Sequence, residues 1–150
     1  MKMVINYLLL ISLIFFYIDK TTALEQKSYE LMTNVISLLS KPEDYINKTI
    51  IVEGFYIGNH QNLLYYSTEH AEQQLISYAI SVLDDSEETN SLSYSSCSDE
   101  WVKIWGTFIP APEPGVSFSQ GRLVINEVML HKNGKTCWKR TKPSFLDKAR

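Results

Sequence analysis

Five short segments with β-strand character constrain the fold of this chain more than any other feature. They are residues 49–58, 63–67, 76–83, 101–109 and 123–131. β-Branched and aromatic residues dominate them, a turn at residues 58–62 separates the first two, and the turn signal Asn133-Gly134 ends the last. Gly54 lies inside the first segment, where glycine marks a bulge or a barrel corner. The sequence therefore predicts a mainly β domain.

Helical patterns lie before and between these strands. Residues 29–39 place apolar side chains on roughly one helix face, and Pro42 stops that helix. Residues 68–75 predict a short helix capped by Thr68 or Ser67. The polar, serine-rich residues 84–99 interrupt the strands before the fourth one, with a helical turn near Leu92–Tyr94.

The predicted order of elements along the chain is a helix, three strands, an irregular link and two strands. This order matches the partly open Greek-key barrel of the OB-fold. We therefore predict a five-stranded OB-fold-like barrel preceded by an N-terminal α-helix that covers one open end.

Residues 1–23 are interpreted as a signal peptide and excluded from this fold. Lys2 precedes an apolar run from Tyr7 to Ile18, and the small residues Thr21 and Ala23 form a cleavage site. The run is shorter than the roughly 20 residues that a transmembrane helix needs. The alternative is an uncleaved N-terminal anchor. Both interpretations predict export, to the periplasm or to the medium.

Charge divides the remaining chain into an acidic domain, residues 24–131, and a basic C-terminal tail, residues 132–150. The domain has five Lys and Arg residues against fifteen acids, a net charge of −10. The tail has seven basic residues and one acid, a net charge of +6. An acidic domain argues against binding to a phosphate backbone, which requires clustered positive charge. We expect the tail to be solvated and frayed; alternatively it binds an anionic surface or lies on its own acidic domain.

Cys97 and Cys137 are the two cysteines of the chain. An even number of cysteines in an exported protein favours a disulfide over free thiols. We therefore predict a Cys97–Cys137 bridge that ties the start of the tail to the segment before Trp101.

Several short motifs resemble those of small exported bacterial OB-fold-like proteins without an established activity. They are Pro42-Glu43-Asp44-Tyr45, Gly54-Phe55, Gly106-Thr107-Phe108 and Ser119-Gln120-Gly121. The resemblance covers about residues 30–130 and rests on turn and barrel-corner residues, so it implies a fold and no chemistry. Some members carry histidines before the last strand, where this chain has PAPEPGVSFSQ.

The fourth strand supplies the first candidate ligand-binding residues. Alternation assigns Val102, Ile104, Gly106 and Phe108 to the barrel interior. Trp101 and Trp105 then share the outer face with Lys103 between them, where two indoles beside a cation can stack on a sugar, a base or a peptide side chain. The alternative is that the N-terminal helix packs on both tryptophans.

A second candidate surface follows from the usual OB-fold ligand face on the second and third strands and the loops beside it. In this chain it comprises Tyr65, Ser77, Ser81, the turn at residues 59–62 and the loop at residues 112–119. Tyr65 is its predicted ligand-binding residue, and we expect an open face with exposed aromatic residues around it. The alternative is a plain solvated sheet.

No motif predicts a catalytic or metal site. His60, His70 and His131 lack the spacing of metal ligands, and the acidic run at residues 84–88 lacks the oxygen pattern of a calcium loop. We expect neither cofactor nor metal, and no serine has the context of a nucleophile.

The sequence therefore favours a monomeric, non-enzymatic binding module for an extended envelope ligand, which is a peptide, a glycan or a protein. Nucleic acid is not the expected partner, and membrane contact is expected only through an uncleaved signal or the basic tail. Two alternatives stay open: a hydrolase of envelope polymers, and a single-stranded nucleic-acid binder that uses the tail.

Overall fold

A computed structural model of the protein describes residues 31–58, 61–84, 91–111 and 121–148. Its strands are β1 (Leu31–Asn34), β2 (Thr49–Ile57), β3 (Leu63–Tyr65), β4 (Ala79–Leu83), β5 (Glu100–Pro110), β6 (Gly121–Leu130) and β7 (Thr136–Lys139). Its short α-helices are α1 (Val35–Ser40), α2 (Thr68–Glu72) and α3 (Phe145–Lys148), and 3₁₀ turns occur at Pro42–Asp44, Ile76–Tyr78 and Leu92–Tyr94. The predicted signal peptide, residues 1–23, lies outside the described residues. None of the helices in these ranges is long and apolar enough to cross a bilayer.

Strands β2 to β6 close into a barrel. They pair in the order β2-β3-β4-β6-β5, and β5 pairs back to β2. The neighbours β4 and β6 are parallel, whereas the other barrel neighbours are antiparallel. This is the strand order of a five-stranded OB-fold, and the predicted fold class is confirmed.

Alternating side chains of the barrel strands fill its interior. All of the following are buried in one cluster: Ile50, Val52, Tyr56, Leu64, Ile80, Val82, Val102, Ile104, Phe108, Leu123, Ile125 and Val128. The inward assignment of the fourth predicted strand is therefore confirmed. Helix α1 adds Val35 and Leu38 to the same cluster, so the N-terminal helix packs on the barrel core.

Gly54 and Gly106 allow neighbouring backbones to approach closely. A Cβ at Gly54 would lie 2.6 Å from the Tyr65 carbonyl oxygen, and one at Gly106 would lie 2.5 Å from that of Val124. The β5–β6 register shifts between Trp105 and Gly106. Gly54 is therefore a close-approach position in the barrel, while the β5–β6 irregularity leaves an extra residue, Asn126, on β6 opposite Trp105 and Gly106.

The predicted helix over residues 29–39 is wrong in its first half. Residues 31–34 form β1, which pairs in parallel with Ile50–Glu53 of β2. Helix α1 begins only at Val35, and the Asn34 side chain caps it by accepting a hydrogen bond from the Ser37 N–H at 2.9 Å. The unpaired backbone along the first half of β2 needs partners, and this requirement overrides the local helical pattern.

The third predicted strand also starts later than expected. Residues 76–78 form a 3₁₀ turn, and β4 begins at Ala79. Alternation in the predicted strand places Tyr78 on the same face as Ile80 and Val82. Ile80 and Val82 are buried in the core, but Tyr78 is exposed, so its predicted place on the buried face is wrong.

The C-terminal segment is not the solvated, frayed tail that was expected. Residues 136–139 form β7 on the edge of β6, and Trp138 is only 5% exposed. The predicted Cys97–Cys137 disulfide is present, with 5.5 Å between the two Cα atoms. Lys132 pairs with Glu100, and Lys139 with Glu127, so the segment lies on its own acidic domain.

Candidate functional site

Three aromatic side chains line up across the outer face of the barrel. Phe55 of β2 is in register with Tyr65 of β3 on one side and with Trp101 of β5 on the other. Cross-strand neighbours in register project to the same face of a sheet. We call Tyr65, Phe55 and Trp101 the aromatic row; at about 4.8 Å per strand it spans roughly 10 Å.

Trp101 is the exposed end of the aromatic row. Its side chain is 40% exposed, and its ring meets the Phe55 ring edge-on, with 6.3 Å between the centroids and 66° between the planes. An edge-to-face pair of this kind holds the indole in place. Neither Trp101 nor Trp105 belongs to the cluster that contains α1, so the alternative in which the helix packs on both tryptophans is wrong.

Lys103 lies beside the aromatic row in an ion pair. Its Nζ is 2.8 Å from Glu53 Oε1, directly across the β2–β5 pairing. The Nδ1 of His131 lies 3.9 Å from the same oxygen. The expected cation is therefore present on the outer face, but Glu53 balances its charge.

Trp105 does not form a second exposed platform. It is half-buried, in register with Ile51 and Glu127, and its Nε1 is buried without a hydrogen-bond partner. Trp101 is thus the more accessible of the two indoles, and the predicted pair of exposed tryptophans is reduced to one.

Helix α2 changes the usual OB-fold ligand face. It follows β3 directly, and Ser67 caps it by accepting a hydrogen bond from the His70 N–H. Together with Ala71 of the helix, Leu63, Tyr65 and Ala79 form a second buried cluster on the outside of the barrel. Tyr65 is only 4% exposed, so the expectation of an open face around Tyr65 is wrong.

A groove remains between β3 and α2. Its volume is about 600 Å³, within the range of roughly 300–1,000 Å³ that is typical of small-ligand sites. We call it the β3 groove; its main lining residues are Ile57, Leu63, Tyr65, Ala71, Gln74 and Ile76. Gln61 and Glu72 complete the lining. The face predicted from the OB-fold is therefore narrowed to a groove that still contains Tyr65.

The other predicted face residues are dispersed. Ser77 is exposed in the 3₁₀ turn, and Ser81 is half-buried on β4. Residues 59–60, residues 85–88 of the acidic run and the loop 112–119 lie outside the described residues.

Comparison with known proteins assigns this chain to no family. No family model matches the chain, and no curated protein matches it. A solved structure described as "a putative aspartyl-tRNA synthetase from Leishmania major Friedlin" is 11% identical, with a TM-score of 0.43. The match covers 81% of this chain and 23% of the other, so this chain spans about a quarter of that protein. A likeness this distant carries no argument about function.

Sequence reasoning missed an aromatic cluster that includes His70 of α2. The rings of His70 and Tyr78 stack, with 4.3 Å between the centroids and 18° between the planes. The ring centroid of Tyr66 lies 6.0 Å from that of His70. Tyr66 and Tyr78 are both exposed. Because Tyr78 falls within the strand predicted over residues 76–83, its stacking on His70 was not predicted.

Ser67 and His70 also form the serine–histidine contact that a hydrolase would require. Ser67 Oγ lies 2.9 Å from His70 Nδ1. However, the same oxygen caps α2, and hydrogen bonding from Ser67 lowers the pKa of Glu69. No carboxylate of the described residues forms an ion pair with His70, so the third member that orients a catalytic histidine is lacking there. Nor do three His, Cys, Asp or Glu residues in the described ranges form a metal-binding group.

Proposed function

We propose that the protein is a non-enzymatic binding module that holds an extended ligand across the aromatic row. The exposed indole of Trp101 on Phe55, in register with Tyr65, carries this proposal. A rigid indole offers a large contact area at little cost in side-chain entropy, and aromatic residues of this kind dominate binding energies. The ligand crosses the strands from Trp101 toward the β3 groove.

An exported location accompanies this proposal. The Cys97–Cys137 disulfide supports it, because such bridges persist in oxidising compartments. The predicted signal peptide points in the same direction. We therefore propose a ligand of the cell envelope or the medium: a peptide, a glycan or a protein.

Single-stranded nucleic acid is the less favoured ligand. Binding to a phosphate backbone requires cations that are free to replace counterions. In this protein, Lys132 and Lys139 pair with Glu100 and Glu127, and Lys103 pairs with Glu53. The acidic domain thus neutralises cations of both the tail and the outer face.

A comparison of wild type with one tryptophan variant and one tyrosine variant tests the proposal. Wild type, Trp101→Ala and Tyr94→Ala would each be immobilised and incubated with an envelope fraction, a neutral oligosaccharide and an eight-residue oligo(dT). Tyr94 is a matched control, because it is an aromatic residue 87% exposed outside the aromatic row. We expect Trp101→Ala to retain about tenfold less, or less still, of whichever ligand wild type retains, and Tyr94→Ala to retain as much of it as wild type. Equal retention by all three folded proteins would contradict the proposal.

A further inference from the structure

Tyr65 is almost fully buried as a residue, yet its hydroxyl group has no hydrogen-bond partner in the part of the chain that the structure describes. The residue lines the β3 groove. Burial also raises the pKa of Tyr65, so the group stays protonated and remains a donor. The ring is buried, whereas the Oη atom itself is accessible from the groove. A ligand in the groove can therefore accept a hydrogen bond from it in place of water.

From this arrangement we infer that the β3 groove binds a neutral, hydroxyl-rich ligand, a saccharide unit, with Tyr65 Oη as a polar anchor. The inference rests on the proposed function and names its ligand class. Leu63, Ile57 and Ile76 supply apolar contact, and the Gln74 amide provides both a donor and an acceptor. An apolar lining with few polar groups is typical of small-ligand sites.

The charge of the groove favours a neutral ligand over an anionic one. Among its eight described lining residues, the charged group is the carboxylate of Glu72. A phosphate or carboxylate ligand would therefore meet a negative charge and no cation there. Hydroxyl groups, in contrast, can donate to that carboxylate.

Strand pairing argues against an extended peptide in the groove. Peptides that bind to sheets add a strand along a free edge and pair through the backbone. Strand β3 is paired on both edges, with β2 and with β4, so it offers no such edge. Recognition in the β3 groove is thus left to side chains.

Gln74 is held at the groove by a left-handed backbone. Its φ is 53°, and it is fixed by the bonds from Gln74 N–H to Ala71 O, at 3.0 Å, and from Ile76 N–H to Gln74 O, at 2.9 Å. Glycine adopts this conformation without strain. Gln74→Gly therefore removes the amide while keeping the backbone, which makes it a selective variant.

Calorimetric titration with the β-1,4-linked tetramer of N-acetylglucosamine tests the inference. The purified protein would be compared with Tyr65→Phe, Gln74→Gly, Trp101→Ala and the control Tyr94→Phe. We expect Tyr65→Phe and Gln74→Gly each to raise the Kd about threefold to tenfold, the effect of one lost hydrogen bond. Tyr94→Phe should leave the Kd unchanged, and Tyr65→Phe should leave the melting temperature unchanged or higher.

The variants separate failure of this inference from failure of the proposed function. If Trp101→Ala weakens binding while Tyr65→Phe and Gln74→Gly bind like wild type, the β3 groove inference is overturned and the proposed function stands. If wild type binds a neutral tetrapeptide or oligo(dT) and not the tetramer, the saccharide assignment is overturned. If wild type binds none of these probes and retains nothing from an envelope fraction, both proposals fail.

Discussion

Reduction of the Cys97–Cys137 disulfide should lower stability by a calculable amount. The bridge joins residues 40 positions apart, and closing a loop of that length contributes about 4 kcal/mol in the chain-entropy model. At roughly 3–4 °C per kcal/mol for a chain of this size, the melting temperature should fall by about 12–16 °C. The barrel pairings of β2 to β6 do not include either cysteine, so the reduced protein should still unfold cooperatively.

Thermal unfolding followed by circular dichroism, with and without dithiothreitol, measures this effect on a single sequence. The matched control is the Cys97→Ala/Cys137→Ala variant, whose melting temperature should not respond to the reductant. A fall of less than about 3 °C on complete reduction of wild type would show that the disulfide contributes little to stability. It would mean that the contacts of Trp138 and β7, rather than the covalent link, hold the C-terminal segment in place.

Three further perturbations test local parts of the fold. Gly54→Ala should lower the free energy of unfolding by about 1–3 kcal/mol in urea denaturation, because the added Cβ would lie 2.6 Å from Tyr65 O. Gly134→Ala, where a Cβ meets no atom within 4 Å, should lower the free energy of unfolding by only about 1 kcal/mol, through its left-handed backbone. Asn34→Ala removes the α1 cap and should cost about 1 kcal/mol in the same assay; no change would contradict the capping role. Burial raises the pKa of Tyr56 above its ordinary 10.0, so unfolding free energy should be unaffected by this group below pH 10 and fall as the pH rises beyond it; a flat profile to pH 11 would contradict this.

Local patterns were sufficient to predict the number and chain order of the barrel strands, though not all of their ends. Alternation in β5 separated Val102, Ile104 and Phe108 from Trp101 and Lys103, and the structure confirms both sets. Buried and more exposed side chains alternate along β5 because one face of the strand packs in the core and the other does not. The disulfide followed from cysteine number and compartment rather than from geometry.

Non-local pairing explains what the sequence did not predict. Residues 31–34 become a strand only because β2 has an unpaired half-edge, and residues 136–139 only because β6 has one. Tyr65 alternates correctly onto the outer face, but its burial depends on α2 folding back over β3. Contacts of this kind involve two elements at once, so no pattern within a single segment reveals them.

The most direct test of the account is chemical-shift mapping by ¹H–¹⁵N NMR of the protein titrated with the N-acetylglucosamine tetramer. We expect the largest perturbations on the aromatic row, including the Trp101 indole N–H, and on the β3 groove around Tyr65 and Gln74. Perturbations confined to β7 and residues 140–148, or to the surface around Tyr94, would contradict it.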